Sequence, residues 1–123
     1  MKTWHIITSE AYDFWFKEQS DEDKAQIRSK VFLLEEYGPN LGRPHADTLK
    51  GSKKLKNLKE LRPLTENHVF RVAYIFDPKR KGLLLIGGDK KGKNEKTFYR
   101  DLIKEAEKIY AVYLEKYLKS KEK

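Results

Sequence analysis

The stretch "HVFRVAYIFD" (residues 68–77) restricts the fold more than any other part of the chain. It is rich in β-branched and aromatic residues, and long and apolar enough to be the central strand of a sheet. Two neighbours extend the pattern. "LKNLKELR" (55–62) precedes it across a connection at Pro63 through Asn67, and "GLLLIGG" (82–88) follows the turn "DPKRKG". Both connections carry the residues that hairpin turns need. One residue resists this picture. A strand that buries Val72, Ala73, Ile75 and Phe76 gains no stability from a guanidinium, yet Arg71 sits inside it and Arg62 ends the strand before.

Side chains on a strand alternate between faces. Val69, Arg71, Ala73 and Ile75 therefore share one face, opposite Phe70, Val72, Tyr74 and Phe76. Leu58, Glu60 and Arg62 share a face of the preceding strand. The bulkier set is expected to meet helices, which places Arg71 on an open side with Arg62 near it. Two adjacent guanidiniums repel unless an anion lies between them, and Glu60 or a phosphate would serve. The competing reading is that each arginine makes an ordinary surface ion pair, worth only about 0–1 kcal/mol.

The remaining elements follow from caps and periodicity. "WHIIT" (4–8) reads as a first strand, and Ser9 caps a short helix through "EAYDFWFKE", where Tyr12, Trp15 and Phe16 fall at i, i+3, i+4. Ser20 with Asp23 resembles a capping box, and "DED" puts three carboxylates at the positive end of a helix dipole. That second helix carries Ile27, Val31 and Leu34 on one face and stops at Gly38-Pro39. A last helix starts at Asn94, with Phe98, Leu102, Ala106, Ile109, Tyr113 and Tyr117 forming one apolar stripe. The order β-α-α-β-β-β-α predicts an α+β domain, a mostly antiparallel sheet with helices packed on one face. A single domain is expected over residues 1–123, with 38–54 a long basic loop and 118–123 a frayed tail.

Charge is unevenly spread. The net charge is +8, but residues 1–42 carry 5 basic and 8 acidic side chains, whereas residues 43–94 carry 14 and 5. A field focused on one segment favours a polyanion or an acidic protein over a neutral small molecule. The bland alternative is that lysines in glycine-containing turns, such as Lys53, Lys54, Lys56, Lys90, Lys91 and Lys93, only keep a small domain soluble.

Several classes of chemistry lack their residues. There are no cysteines, hence no disulfide framework and no thiolate metal site, which fits a reducing, cytoplasmic compartment. No run has the length of a signal peptide or a membrane span, so no membrane partner is expected. His5, His45 and His68 are scattered without metal-ligand spacing, and Gly87-Gly88 alone does not make a phosphate loop.

Taken in order, "GRPHADTLKGSKKLKNLKELR", "FRVAYIFD" and "GGDKKG" with the following "FY" resemble the phage Gp49-like or HigB-type branch of the RelE/ParE toxin superfamily. The resemblance covers nearly the whole chain from Trp4 onward. It implies the toxin half of a type II toxin–antitoxin pair, and a metal-independent, ribosome-associated endonuclease of messenger RNA that needs no cofactor. It implies catalytic roles for Arg62, Arg71, Lys90, Lys91 and Tyr99; by its own chemistry, Glu60 is an alternative base. Lys53, Lys54, Lys56, Lys93 and His68 become candidates for binding RNA.

The chain departs from the RelE pattern at two points. Leu58 and Glu60 stand where RelE proteins offer lysines, and the turn reads Asp89-Lys90-Lys91-Gly92 where a Phe-x-Lys-Lys form is common. The general base is left open. Implied partners are a cognate antitoxin, of helix-turn-helix type and encoded nearby, messenger RNA with the ribosome, and operator DNA indirectly through the antitoxin. Two alternatives share the fold: a ParE-like gyrase poison, and a non-catalytic module that binds RNA or protein.

Overall fold

The computed structural model describes residues 4–122, with side chains as far as Tyr117. Its elements are β1 (Ile6–Thr8), α1 (Glu10–Lys17), α2 (Asp21–Tyr37), a 3-10 turn (Gly38–Asn40), β2 (Ala46–Thr48), β3 (Lys59–Leu61), β4 (Phe70–Phe76), β5 (Gly82–Asp89) and α3 (Glu95–Glu122). The sheet order is β1-β5-β4-β3-β2, with β1 parallel to β5 and every other pairing antiparallel. This is the expected α+β architecture with one strand added, but the helices expected on one face divide between both, α1 and α2 on one side of β4 and α3 on the other. β2 lies inside the segment 38–54, which the sequence marks as loop, and it pairs with β3 through Ala46↔Leu61 and Thr48↔Lys59. Of the run 55–62 only three residues form strand. The backbone of α3 is helical through Glu122, while the side chains expected to fray beyond Tyr117 lie outside the described residues.

The helix starts are where the caps predict. Ser9 Oγ accepts from the Tyr12 amide at 3.0 Å and donates to the Leu85 carbonyl at 2.6 Å, so one side chain caps α1 and ties it to β5. Ser20 accepts from Asp23 N at 3.1 Å, and Asn94 accepts from Thr97 N at 3.0 Å. Gly38 ends α2 at φ 58°, beneath the Trp4 ring, where a Cβ would have no room.

β4 is buried on both sides, and each side belongs to a different core. Phe70, Val72 and Tyr74 pack with Tyr12, Ile27 and Leu34 of α1 and α2, as the bulk of that set predicts. Ala73 and Ile75 pack with Phe98, Leu102, Ala106 and Tyr110 of α3. The face carrying Arg71 is therefore shared. α3 takes its β4–β5 part, and the β2–β3 edge beyond the first turns of α3 is what remains open.

A bulge decides which residues meet across this sheet. Pairing runs Tyr74↔Leu84 and then Ala73↔Ile86, so Leu85 is the extra residue on β5. Leu85 and Ile86 both join the α3 core, and beyond them Gly87 faces Trp15 of α1 while Gly88 faces Phe98 and sits opposite Arg71. A Cβ on Gly87 would fall 2.4 Å from the Trp15 ring. Gly87→Ala should therefore cost about 1–3 kcal/mol by overpacking. Gly42→Ala, where a Cβ meets nothing within 4 Å, should change stability little. Urea denaturation of both variants beside the parent checks the contrast.

Candidate functional site

Glu60 is a carboxylate at 3% exposure on the face that β3 turns toward α3. Burying such a group is costly unless it is paired and hydrogen-bonded. Its partners come from three elements. Arg62 Nη1, just past the end of β3, donates to Oε2 at 2.9 Å. The Tyr99 hydroxyl, from the second turn of α3, donates to Oε1 at 2.8 Å. Arg71 of β4 brings Nε to 3.6 Å from Oε1 and donates to the Tyr99 oxygen at 3.3 Å. The anion needed between the two arginines is thus Glu60, and the cluster keeps a net charge of +1.

The two arginines are not equivalent. The Arg62 side chain is 21% exposed and lines a cleft of about 470 Å3 between the β2–β3 edge and the start of α3. Arg71 was expected on an open surface. It lies on the predicted face but is only 8% exposed, held beneath Tyr99 with Nη1 donating to the Phe70 carbonyl at 2.8 Å. The reason is α3, whose first turns cover β4 there. Arg71 therefore positions Glu60 and Tyr99, while Arg62 faces the cleft.

The turn 89–93 sorts its lysines. Asp89 accepts from the amides of Val69 (2.9 Å) and Lys91 (3.0 Å), and Gly92 turns at φ 73°. This geometry brings Lys90 into the cleft, 5.3 Å over the Tyr99 ring and 2.7 Å from Glu95. It sends Lys91 away to the Asn67 carbonyl at 3.0 Å, and leaves Lys93 over the Phe98 ring. His68 stands apart from the cleft, stacked on Phe70 and placed between Asp89 (2.6 Å) and Asp23 (3.5 Å). Lys53 and Lys54 line a neighbouring cleft, and Lys56 is an exposed turn residue of neither. Of the sequence candidates, Glu60, Arg62, Arg71, Lys90 and Tyr99 come together. Lys91, Lys93, Lys56 and His68 do not join them.

Electrostatics follow from these contacts. Burial raises the Tyr99 phenol above its ordinary value, the Glu60 hydrogen bond and charge add to this, and Arg71 offsets part of it. Its proton is firmly held at neutral pH. Lys90 holds the Glu95 carboxyl below its usual range, mainly through their hydrogen bond. At Asp89 burial pushes the carboxyl up, but the Val69 amide, His68 and the Lys91 amide outweigh it and the net shift is downward.

Three cleft residues escaped the sequence reading. Arg43, Lys50 and Lys96 line the same space. Arg43 and Lys50 belong to the quoted "GRPHADTLK", and they reach the cleft because β2 forms within that loop and pairs with β3. Lys96 is one helical turn from Arg100, in the same basic face of α3. Among the described residues no group of three or more His, Asp or Glu is placed to hold a metal ion, and no helix is long and apolar enough to cross a membrane.

Comparison with known proteins converges on one family. Residues 14–111 match the family described as "Phage derived protein Gp49-like (DUF891)". The chain is similar to candidate toxin HigB3 of Mycobacterium tuberculosis, 39% identical over 94 residues, covering 76% of this chain and 79% of that protein. It is also similar to candidate toxin HigB2 of the same organism, 34% identical over 110 residues, or 89% of this chain. The chain spans 54% of HigB2's length, about half. The match over most of the chain, together with the extent of the HigB3 similarity, means that this protein belongs to the phage-derived Gp49-like family.

Proposed function

We propose that this protein is the toxin half of a type II toxin–antitoxin pair and that the Glu60 cleft is an endoribonuclease site acting on messenger RNA at the ribosome. The observation that carries the reading is the convergence of Arg62, Arg71 and Tyr99 on one buried carboxylate at the floor of a basic cleft. The family relationship and the toxin names of two relatives support the wider role. The partner is an antitoxin of helix-turn-helix type that keeps the cleft from its substrate and carries the contacts to operator DNA.

RNA supplies its own nucleophile. Cleavage requires the 2′-oxygen to attack the adjacent phosphorus while the bond to the 5′-oxygen breaks, with one proton removed and one delivered. Arg62 is the group that exchanges partners. When it turns from Glu60 to a phosphate oxygen, it stabilises the developing charge and frees Oε2 to accept the proton of the 2′-hydroxyl. Arg71 stays in place and keeps Glu60 and Tyr99 aligned. The Tyr99 hydroxyl is the donor nearest the leaving oxygen, and Lys90 leaves Glu95 to hold the flanking phosphate. The products are a 2′,3′-cyclic phosphate and a 5′-hydroxyl.

The two arginines should separate by experiment. Arg62→Ala removes one positioned donor, a loss of about 2.7–4 kcal/mol in the barrier. Growth arrest on induction should vanish, with a smaller loss of stability of about 1–3 kcal/mol because Glu60 Oε2 loses its donor at the rim of the cleft. Arg71→Ala breaks a buried pair, and should destabilise the fold by about 3–5 kcal/mol as well as abolish arrest. Primer extension on induced cells tests the reaction itself. Cuts at codon spacing within translated messages are expected, and intact messages beside damaged DNA would mean a gyrase poison instead.

A further inference from the structure

A second basic cleft adjoins the first, and the reaction proposed above does not use it. It has a volume of about 510 Å3 and lies between α3 and the loop 50–54. Lys50, Lys96 and Tyr99 line both clefts, so the two are continuous across Tyr99. Lys53, Lys54, Arg100 and Lys104 belong to the second alone. Lys96, Arg100 and Lys104 recur every fourth residue, one face of α3 over two turns, or about 12 Å along the helix axis.

The loop opposite that face is built to stay there. Gly51 turns at φ 113°, a conformation that side chains rarely adopt. Ser52 Oγ accepts from Leu55 N at 2.9 Å and donates to Glu107 Oε2 at 2.7 Å, which latches the loop to α3. Glu107 is the one carboxylate lining this cleft, and it is engaged by Ser52. Among the described residues no ion pair holds Lys50, Lys53, Lys54, Lys96 or Lys104. Arg100 makes only an exposed contact with its neighbour Asp101 at 3.3 Å. Six cations face one carboxylate in a held concave surface. Such a surface lacks an anion.

We infer that the second cleft is a subsite for the phosphates flanking the cleavage point, so that a single strand of RNA runs from the Glu60 cleft past Tyr99 and along α3. A positively charged groove that tracks the backbone, with an aromatic ring at its step, is how proteins hold single strands without reading sequence. The inference rests on the RNA reading of the first cleft, and it adds the direction of the strand and the residues that hold it outside the reacting step.

The test uses fluorescence anisotropy with uncleavable 2′-O-methyl oligonucleotides, a trinucleotide and a decanucleotide, on the parent and on a Lys53→Gln, Arg100→Gln, Lys104→Gln variant. Three exposed substitutions leave the Glu60 cluster untouched, and circular dichroism confirms the fold. For the decanucleotide, the slope of log affinity against log salt should shrink by about 2 in the variant, since each single-strand phosphate contact contributes about 0.7. The trinucleotide should bind both proteins alike. Equal decanucleotide slopes would overturn the subsite and leave the first cleft's reading standing. A parent protein that binds neither oligonucleotide and leaves messages intact on induction would overturn both. A poly-glutamate peptide that binds the parent as tightly as the decanucleotide would mark the surface as a protein-docking site and overturn the proposal as well.

Discussion

A buried carboxylate can persist only where its surroundings supply charge and hydrogen bonds, and Glu60 draws those from three separate elements. Arg62 follows β3, Arg71 sits mid-β4, and Tyr99 projects from the second turn of α3. Without Glu60, two guanidiniums would share a low-dielectric space with no counter-ion, and α3 would lose the Tyr99–Glu60 hydrogen bond that ties it to β3. The carboxylate therefore does two jobs. It makes the packing of α3 over Arg71 tolerable, and it leaves Arg62 at the rim of a cleft with a residual positive charge. Both arginines pair with Glu60, but only Arg62 has the exposure to turn from it into the cleft, while Arg71 is also held by the Phe70 carbonyl, which divides the pair into a mobile contact and a fixed support.

Charge separation at the scale of the molecule reinforces this local arrangement. The acidic excess of residues 1–42 lies in α1 and α2, on the Phe70–Val72–Tyr74 side of the sheet. The basic excess of residues 43–94 gathers at the β2–β3 edge and the turn before α3. A sheet with opposite charge on its two sides orients an approaching polyanion before contact, so the cleft gains in encounter rate as well as affinity.

Local rules carried much of the fold. Ser9, Ser20 and Asn94 cap as their positions suggest, and Gly38 stops α2, because each depends on contacts within a few residues. The pairing of Arg62 with Glu60 was likewise within reach, since alternation puts them on one face two residues apart. What failed to show was tertiary. β2 is three residues long and exists only because β3 lies beside it, so nothing local marks Ala46-Asp47-Thr48 as strand. Arg43, Lys50 and Lys96 were missed for the same reason. Alternation sorted the faces of β4 correctly but could not say that α3 would cover the one bearing Arg71. A hint was present in the sequence itself, since an apolar run that hardly alternates is the mark of a strand buried on both faces.

The extra residue at Leu85 has a consequence for how this chain tolerates change. It resets the parity of everything after it on β5, so that two bare positions sit under Trp15 and Phe98 and the strand ends at the turn that aims Lys90. Losing Leu85 itself would only close the bulge, with Ile86 still opposite Ala73, whereas losing the nearby Gly87 would put Gly88 beneath Trp15 and Asp89 beneath Phe98 at once. Each side chain around the cleft would survive by name and lose its neighbours. In this protein a one-codon deletion in β5 past the bulge is more damaging than most replacements there, because the spacing of the strand, more than its composition, holds the turn that aims Lys90.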